Sequence, residues 1–332
     1  MQLRAFGRTG MQLSVLGFGC GAVGGLMVRG DPAEQERTIA RAIAAGVNYF
    51  DTAVLYGNGE SEKNLGRVLQ KLKPANVAVG TKVRLPPSEF GRIPDAVTMS
   101  LEGSLRRLGL DQVDIFHLHN PITETGGGSA LSVRQVLGEV VPAFERLRQQ
   151  GKTCFLGITA VGETEALHQV VDARAFDSAQ IVYNMLNPSA AEELPTNYPA
   201  QDYGRLFDHT KAAGVGVVGI RVLAGGALSG SAERHPIASP APEPIGSAMT
   251  YDADVDRARR LVPLVKEGFA TSLTEAATRF ALSHPAMGTI LVGIATPQQF
   301  EEALAAVQNG PLPRAAFDRL SALWQEFSGE AR

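Results

Sequence analysis

Short apolar runs and helix-forming segments alternate along almost the whole of this chain, and that alternation narrows the fold more than any other feature. In order, the runs are Leu16–Cys20, Val47–Phe50, Val77–Thr81, Val113–Leu118, Cys154–Ile158, Ala179–Val182, Val215–Ile220 and Thr289–Val292. Many of their residues are β-branched or aromatic, as suits buried strands. Helical segments separate nearly all of them: Ala33–Ala45, Glu60–Leu72, about Ile93–Leu108, Val133–Gln150, Glu163–Ala173 and about Tyr203–Ala213. Two more, near Asp254–Glu267 and at Leu273–Ser283, precede the eighth run, and Pro297–Val307 and Arg314–Phe327 follow it. Strands joined through helices lie parallel. Eight in one continuous chain predict an α/β fold, a closed (β/α)8 TIM barrel, as a single domain over residues 1–332. The alternative is a doubly wound open sheet, whose mark is a strand leading into G-x-G-x-x-G with an acid about twenty residues on. Gly17-Phe18-Gly19-Cys20-Gly21 supplies glycines but not the second half of that pattern.

Outside the alternation, Met1 to Val15 reads as an N-terminal β-hairpin around the turn Gly7-Arg8-Thr9-Gly10. Asp31 ahead of Pro32 is an expected helix N-cap. Two loops exceed the usual length: Asn120 to Ser132, with Gly126-Gly127-Gly128, and the proline-rich Ser229 to Asp252. Both follow strands, so both are expected at the carboxyl-end mouth, where long loops serve as lids or binding loops.

The charge balance excludes some partners. Net charge is −3 with no polybasic block, which argues against nucleic acid and anionic membrane. The longest apolar stretch, Gly214 to Gly230, contains Arg221 and falls short of a membrane span. The amino terminus lacks the apolar core of a secretion signal, and Cys20 and Cys154 make neither a disulfide framework nor a metal-type pair. A cytoplasmic protein without a metal is expected; its oligomeric state is left open.

The segment Val47 to Glu62 carries the densest chemistry. A strand stops at Asp51, Tyr56 follows in a turn marked by Gly57-Asn58-Gly59, and Glu60-Ser61-Glu62 opens a helix. On a barrel, residues just past strand ends converge on one opening. Those positions are Cys20, Asp51 with Tyr56, Lys82, His119, Thr159, Gln180 and Arg221. A free tyrosine, with a pKa near 10, is a poor acid at neutral pH. A neighbouring ammonium lowers that value, a carboxylate holds the ammonium, and a histidine can orient a substrate carbonyl.

Asp51-Thr-Ala-x-x-Tyr56-Gly with Glu62 and Leu65-Gly66, Lys82 after Val79-Gly-Thr, and Asp114-Ile-Phe-His-Leu-His119-Asn-Pro resemble the aldo-keto reductase family from about Leu3 to Leu304. The resemblance implies a catalytic tetrad: Tyr56 as general acid/base, Lys82 tuning it, Asp51 holding the lysine and His119 orienting the substrate. It also implies a nicotinamide dinucleotide lying extended across the mouth, with Gln180 on the carboxamide and Leu223 to Gly230 along the pyrophosphate. The expected cofactor contacts are Thr159, Gln180, Arg221, Leu223, Gly225, Leu228, Gly293, Gln299 and Glu302.

Departures from the family pattern bear on which dinucleotide binds. Its usual Ser-Asn after the fifth strand is Thr159-Ala160 here, and its nicotinamide-stacking aromatic aligns with Ile220, beside Arg221. The adenosine-end motif keeps only its outline: Gly293, Ile294 and Gln299 stand where NADP-binding members often carry lysine or serine and arginine. A 2′-phosphate needs charge-assisted donors, and each lost contact costs roughly 1–3 kcal/mol. Arg234 or Arg279 could fill the gap from elsewhere. The residues therefore place NAD ahead of NADP, although the family as a whole leans the other way. Gly157-Ile-Thr159 and Arg234-His-Pro236 also resemble the L-galactose dehydrogenase branch, which uses NAD on sugars.

Other titratable groups have plainer readings. His117 is expected to be structural and Cys20 to pack. Arg221 could meet a substrate carboxylate, a cofactor phosphate or an internal acid. The expected activity is hydride transfer between a nicotinamide dinucleotide and a small carbonyl, alcohol or sugar lactol. The rival is a cofactor-binding sensor or regulatory subunit with little turnover.

Overall fold

The computed structural model describes residues 1–330. Eight parallel strands close on themselves: β1 (Leu16–Gly19), β2 (Tyr49–Asp51), β3 (Ala78–Val83), β4 (Val113–Leu118), β5 (Thr153–Ala160), β6 (Ser178–Val182), β7 (Gly216–Ile220) and β8 (Met287–Gly293). Closure is made by β8 against β1, with Ile290 opposite Leu16 and Gly293 opposite Gly19. Helices lie between the strands and pack an outer apolar layer against them, so the chain is a (β/α)8 TIM barrel, as its alternation predicts.

A separate apolar cluster fills the barrel: Tyr49, Ala78, Ile115 and Val218 with Phe6 and Leu13. Phe6 and Leu13 come from the expected hairpin, whose strands are Leu3–Ala5 and Gln12–Ser14. Phe6 is fully buried where Gly216 and Gly288 leave room; a Cβ on either would stand 2.7 Å from its ring. The hairpin thus plugs the end where β7 and β8 begin, leaving chemistry to the opposite end.

Helix starts and stops follow local signals. Asp31 accepts hydrogen bonds from the amides of Ala33 and Glu34, capping Pro32–Ala44. Proline accounts for two departures from the expected boundaries. The segment expected as one helix from Val133 to Gln150 contains a π turn at Val136–Val140 before Val141–Gln149, because Pro142 has no N–H to give the carbonyl four residues back. Likewise Pro263 divides the later segment into Tyr251–Arg260 and Pro263–Lys266. Left-handed Gly204 and Arg205 delay the helix expected from Tyr203 until Leu206. The loop from Asn120 holds an unexpected two-stranded pair, Ile122–Thr123 with Leu131–Ser132. Among the described residues, no helix is long and apolar enough to cross a membrane.

Candidate active site

Tyr56 is placed by the turn that follows β2. Gly57, Asn58 and Gly59 all have positive φ, a sequence of conformations that glycine and asparagine tolerate. The helix Glu60–Leu72 then anchors the turn from below. Ser61 donates to the carbonyl of Cys20 at 2.8 Å and shares a 2.8 Å hydrogen bond with Thr52. Glu62, fully buried, accepts from Thr81 Oγ1 and Arg107 Nε, both at 2.6 Å, and so ties this helix to β3.

Lys82, on β3, is fully buried. Its ammonium donates to Asp51 Oδ2 at 2.5 Å, to the carbonyl of Thr52 at 2.9 Å and to Tyr56 Oη at 3.1 Å. An ammonium has three protons, and all three are used. Tyr56 Oη is therefore an acceptor toward Lys82, and its own proton is free to point elsewhere. Asp51 Oδ1 accepts in turn from Gln180 Nε2 at 2.6 Å and from Tyr49 Oη at 3.2 Å. His119 stands edge-on to the Tyr56 ring, with centroids 6.0 Å apart and planes at 88°.

Electrostatics at these groups differ in one respect from the expectation. Lys82 does favour the Tyr56 phenolate, but burial disfavours it more, and the Tyr56 pKa lies above the ordinary phenol value. The expected net lowering is thus corrected: desolvation outweighs the neighbouring ammonium, and the phenol keeps its proton at neutrality. Burial also opposes the charge on Lys82, yet Asp51 and Tyr56 overcome it and raise the lysine pKa. His119 is pushed down to about 3, by burial first and then by the charges of Lys82 and Arg84. Its buried Nδ1 has no hydrogen-bond partner among the described residues.

A cavity of about 980 Å³ opens over this group, at the upper end of the roughly 300–1,000 Å³ range of small-molecule sites. Asp51, Tyr56 and His119 line it, as do Thr159, Gln180, Arg221, Leu223, Gly225, Gly293, Gln299 and Glu302. Lys82 sits behind Tyr56, out of the wall. Leu228 is the correction among the expected contacts. The segment Ala224–Ser229 winds into a 3-10 turn that buries its side chain completely in the core. Both long loops reach the mouth, through Pro121 from one and Arg234, Ala238 and Ile245 from the other.

The remaining candidates fall out plainly. His117 is buried in the wall and shares a 3.0 Å hydrogen bond with Ser178, as a structural residue should. A Cβ on Gly157 would lie 2.3 Å from that imidazole ring. Cys20 packs in the core, its thiol pKa raised by burial. Arg221 makes no ion pair among the described residues; its guanidinium donates to the carbonyl of Glu243 at 3.2 Å, from a residue held at φ 55°. An internal acid is therefore not its partner. Arg234 donates to the carbonyls of Ser239, Gly225 and Val23 and to Tyr251 Oη, and Arg279 to those of Gly310, Phe269 and Pro311 and to Glu275. Both are committed to the scaffold, and Arg279 does not reach the cavity.

Two wall or support residues escaped the sequence reading, Tyr49 and Arg84. The strand period of two would have found both, since Tyr49 shares a face with Asp51, and Arg84 follows Lys82 by two.

Comparison with known proteins agrees with this geometry. A family model described as the aldo/keto reductase family matches residues 15–325. L-galactose dehydrogenase of Arabidopsis thaliana is 30% identical, covering 92% of this chain and 88% of its own length. Pyridoxal 4-dehydrogenase of Microbacterium luteolum is 26% identical over 90% of this chain and 91% of its own. A putative voltage-gated potassium channel subunit beta of Schizosaccharomyces pombe is also 26% identical, with coverages of 92% and 88%. Among solved structures, an aldo-keto reductase of Bacillus halodurans in its holo form superposes with a TM-score of 0.70 at 24% identity, over 100% of this chain and 98% of that one. A match across nearly the whole sequence, on a closed eight-stranded barrel whose mouth gathers Asp51, Tyr56, Lys82 and His119, establishes that this chain belongs to the aldo/keto reductase family.

Proposed function

We propose that the protein uses NAD in preference to NADP to interconvert a carbonyl with an alcohol, or a sugar lactol with its lactone, and that Tyr56 is the general acid/base. Membership of the family supports nicotinamide-dependent oxidoreduction as the reaction class. The observation that carries the finer reading is the exhaustion of the Lys82 ammonium by Asp51, Thr52 and Tyr56. It leaves the Tyr56 proton available to the cavity, with a positive charge already in place to hold the phenolate once that proton has gone.

The cavity suits a dinucleotide. Its length of wall runs from Tyr56 and His119 to Gln299 and Glu302, and Gly225 and Gly226, at φ 71° and 113°, give a close backbone approach beside Arg221. When bound, the nicotinamide supplies or accepts the hydride. The chain's own residues do the rest: His119, neutral, orients the carbonyl oxygen, and Tyr56 donates a proton to that oxygen or recovers it from an alcohol. Thr159 and Gln180, both in the cavity wall, are the proposed partners of the carboxamide; Thr159 Oγ1 donates to Gln180 Oε1, and Gln180 also braces Asp51.

Preference for NAD rests on charge. The only lysine or arginine side chains among the described cavity residues are Arg84, Arg221 and Arg234, and Glu302 and Glu275 share the wall with Gln299. A 2′-phosphate beside those acids finds no free cation. NADP is expected to bind about ten- to a hundredfold more weakly than NAD, which fluorescence titration measures. Absorbance at 340 nm with a panel of aldehydes, ketones and aldoses then tests the reaction. Binding of cofactor without turnover of any of them, in either direction, would favour the regulatory-subunit reading instead.

The shifted groups also predict a pH profile. With His119 near 3, kcat/KM should show no step between pH 5 and 8 from imidazole protonation. Because the Tyr56 pKa is raised, its base form grows only in alkaline solution, so alcohol oxidation should keep rising above neutrality while carbonyl reduction does not. An inflection near 6.5 in the unliganded-enzyme profile contradicts the neutral-histidine assignment.

A further inference from the structure

We propose that the physiological substrate carries a carboxylate several bonds from its reacting carbonyl, and that Arg84 binds it. The inference rests on the oxidoreductase reading above and adds the substrate's charge to it.

Arg84 follows the end of β3, and alternation along the strand directs Lys82 to the barrel interior, buries Val83 and returns Arg84 to the mouth. It lines the cavity with Tyr56, His119 and Pro121. Two residues of extended chain set its Cα roughly 6.6 Å beyond that of Lys82, toward the outer part of the mouth. Its partner within the protein is modest: Nη2 donates to Ser129 Oγ at 3.2 Å, on the long loop from Asn120. It is exposed at the cavity mouth, and among the described residues it forms no ion pair. The wall near the reacting group offers no acid to neutralise it either. Asp51 is engaged by Lys82, Gln180 and Tyr49. Arg221 lies beside Gly225 on the segment suited to the dinucleotide's pyrophosphate, which leaves Arg84 as the cation for the substrate.

A guanidinium presents a planar fork of donors that matches a carboxylate in two hydrogen bonds. A neutral polyol gains little from it, and hydroxyl recognition is better served by amides, which donate and accept, and by carboxylates, which accept. The positive charge of Arg84 is also compatible with a neutral His119, since it opposes protonation of that imidazole.

The test compares a hexose with the corresponding hexuronate, identical at the reacting carbon and differing in a remote carboxylate, by NADH formation in the wild type and in Arg84→Gln. The glutamine keeps a donor for Ser129 and removes the charge. Wild-type kcat/KM should favour the uronate, and the substitution should lower it about ten- to a hundredfold more for the uronate than for the hexose, chiefly through KM. Raising ionic strength should narrow the wild-type preference. A preference for the hexose, or an equal fall for both sugars, overturns the proposal, because loss of the Ser129 tether alone lowers both alike. If neither sugar is turned over, the sugar-lactol part of the reading above fails. Calorimetric binding of the uronate to the two proteins still decides the role of Arg84, for which unchanged affinity in Arg84→Gln is the refuting result.

Discussion

Tyr56→Phe should lower kcat by about 10² to 10⁴, the range contributed by a positioned proton donor, while cofactor affinity and thermal stability stay close to wild type. The substitution removes one oxygen and keeps the ring, so the edge-on contact with His119 persists. Lys82 loses one of three acceptors but retains Asp51 and the carbonyl of Thr52, so its charge stays paired. What disappears is the only hydroxyl among the described residues that accepts from Lys82 and also faces the cavity. The loss should therefore sit in kcat and in kcat/KM equally, since the missing interaction matters only as charge develops on the substrate oxygen. Steady-state kinetics beside cofactor titration make the check. Turnover unchanged in this variant removes the acid/base assignment, whatever happens to binding.

Much of this arrangement could be read from sequence because it depends on local spacing. Asp51 ends a strand, Tyr56 follows through a turn that three consecutive positive-φ residues enforce, and Glu60–Leu72 begins and ends where its pattern says. The eight-strand count predicted closure, since parallel strands joined by helices at this number have a barrel as their compact solution. Register, by contrast, is settled between distant strands. Nothing near Gln180 in the chain announces that its amide nitrogen lies 2.6 Å from Asp51, and nothing near Arg234 or Arg279 announces that their donors are consumed by carbonyls. Those contacts decide which cations remain available to a ligand. The balance at Tyr56 was hidden for the same reason. A nearby ammonium is legible as a lysine at the right strand end, but the competing desolvation depends on everything that closes over the ring.

Tyr49 shows how such a contact could have been found and was not. It lies two residues before Asp51, hence on the same face of β2, and its phenol reaches Asp51 Oδ1 in a fully buried setting. Gly80 makes the space: a Cβ there would stand 2.4 Å from the Tyr49 hydroxyl oxygen. Read alone, Tyr49 is one more aromatic in an apolar run. Its hydroxyl becomes informative only once the carboxylate beside it is known to be the one that holds the lysine.

Lys82→Met should destabilise the protein by about 3–5 kcal/mol, the penalty for stripping one partner from a buried ion pair. Lys82 and Asp51 are 0% and 3% exposed at their side chains, so water cannot take the lysine's place. Gln180 and Tyr49 would still donate to Asp51, but dipoles alone offset only part of a desolvated charge, and the carbonyl of Thr52 would lose its donor. Activity should fall with stability, since the phenolate would have no counter-charge. The double variant Asp51→Asn with Lys82→Met separates the two effects. Both charges are then gone, the amide oxygen at position 51 can still accept from Gln180 and Tyr49, and most of the lost stability should return, because a neutral replacement of a buried pair is often tolerated. Turnover should not return with it. Denaturant unfolding of the three variants beside wild type reads out the stability, and 340 nm assays read out the chemistry. If the double variant is as unstable as Lys82→Met, packing around the lysine stem rather than an orphaned carboxylate is responsible. If it recovers activity as well as stability, the ammonium is not what makes Tyr56 work.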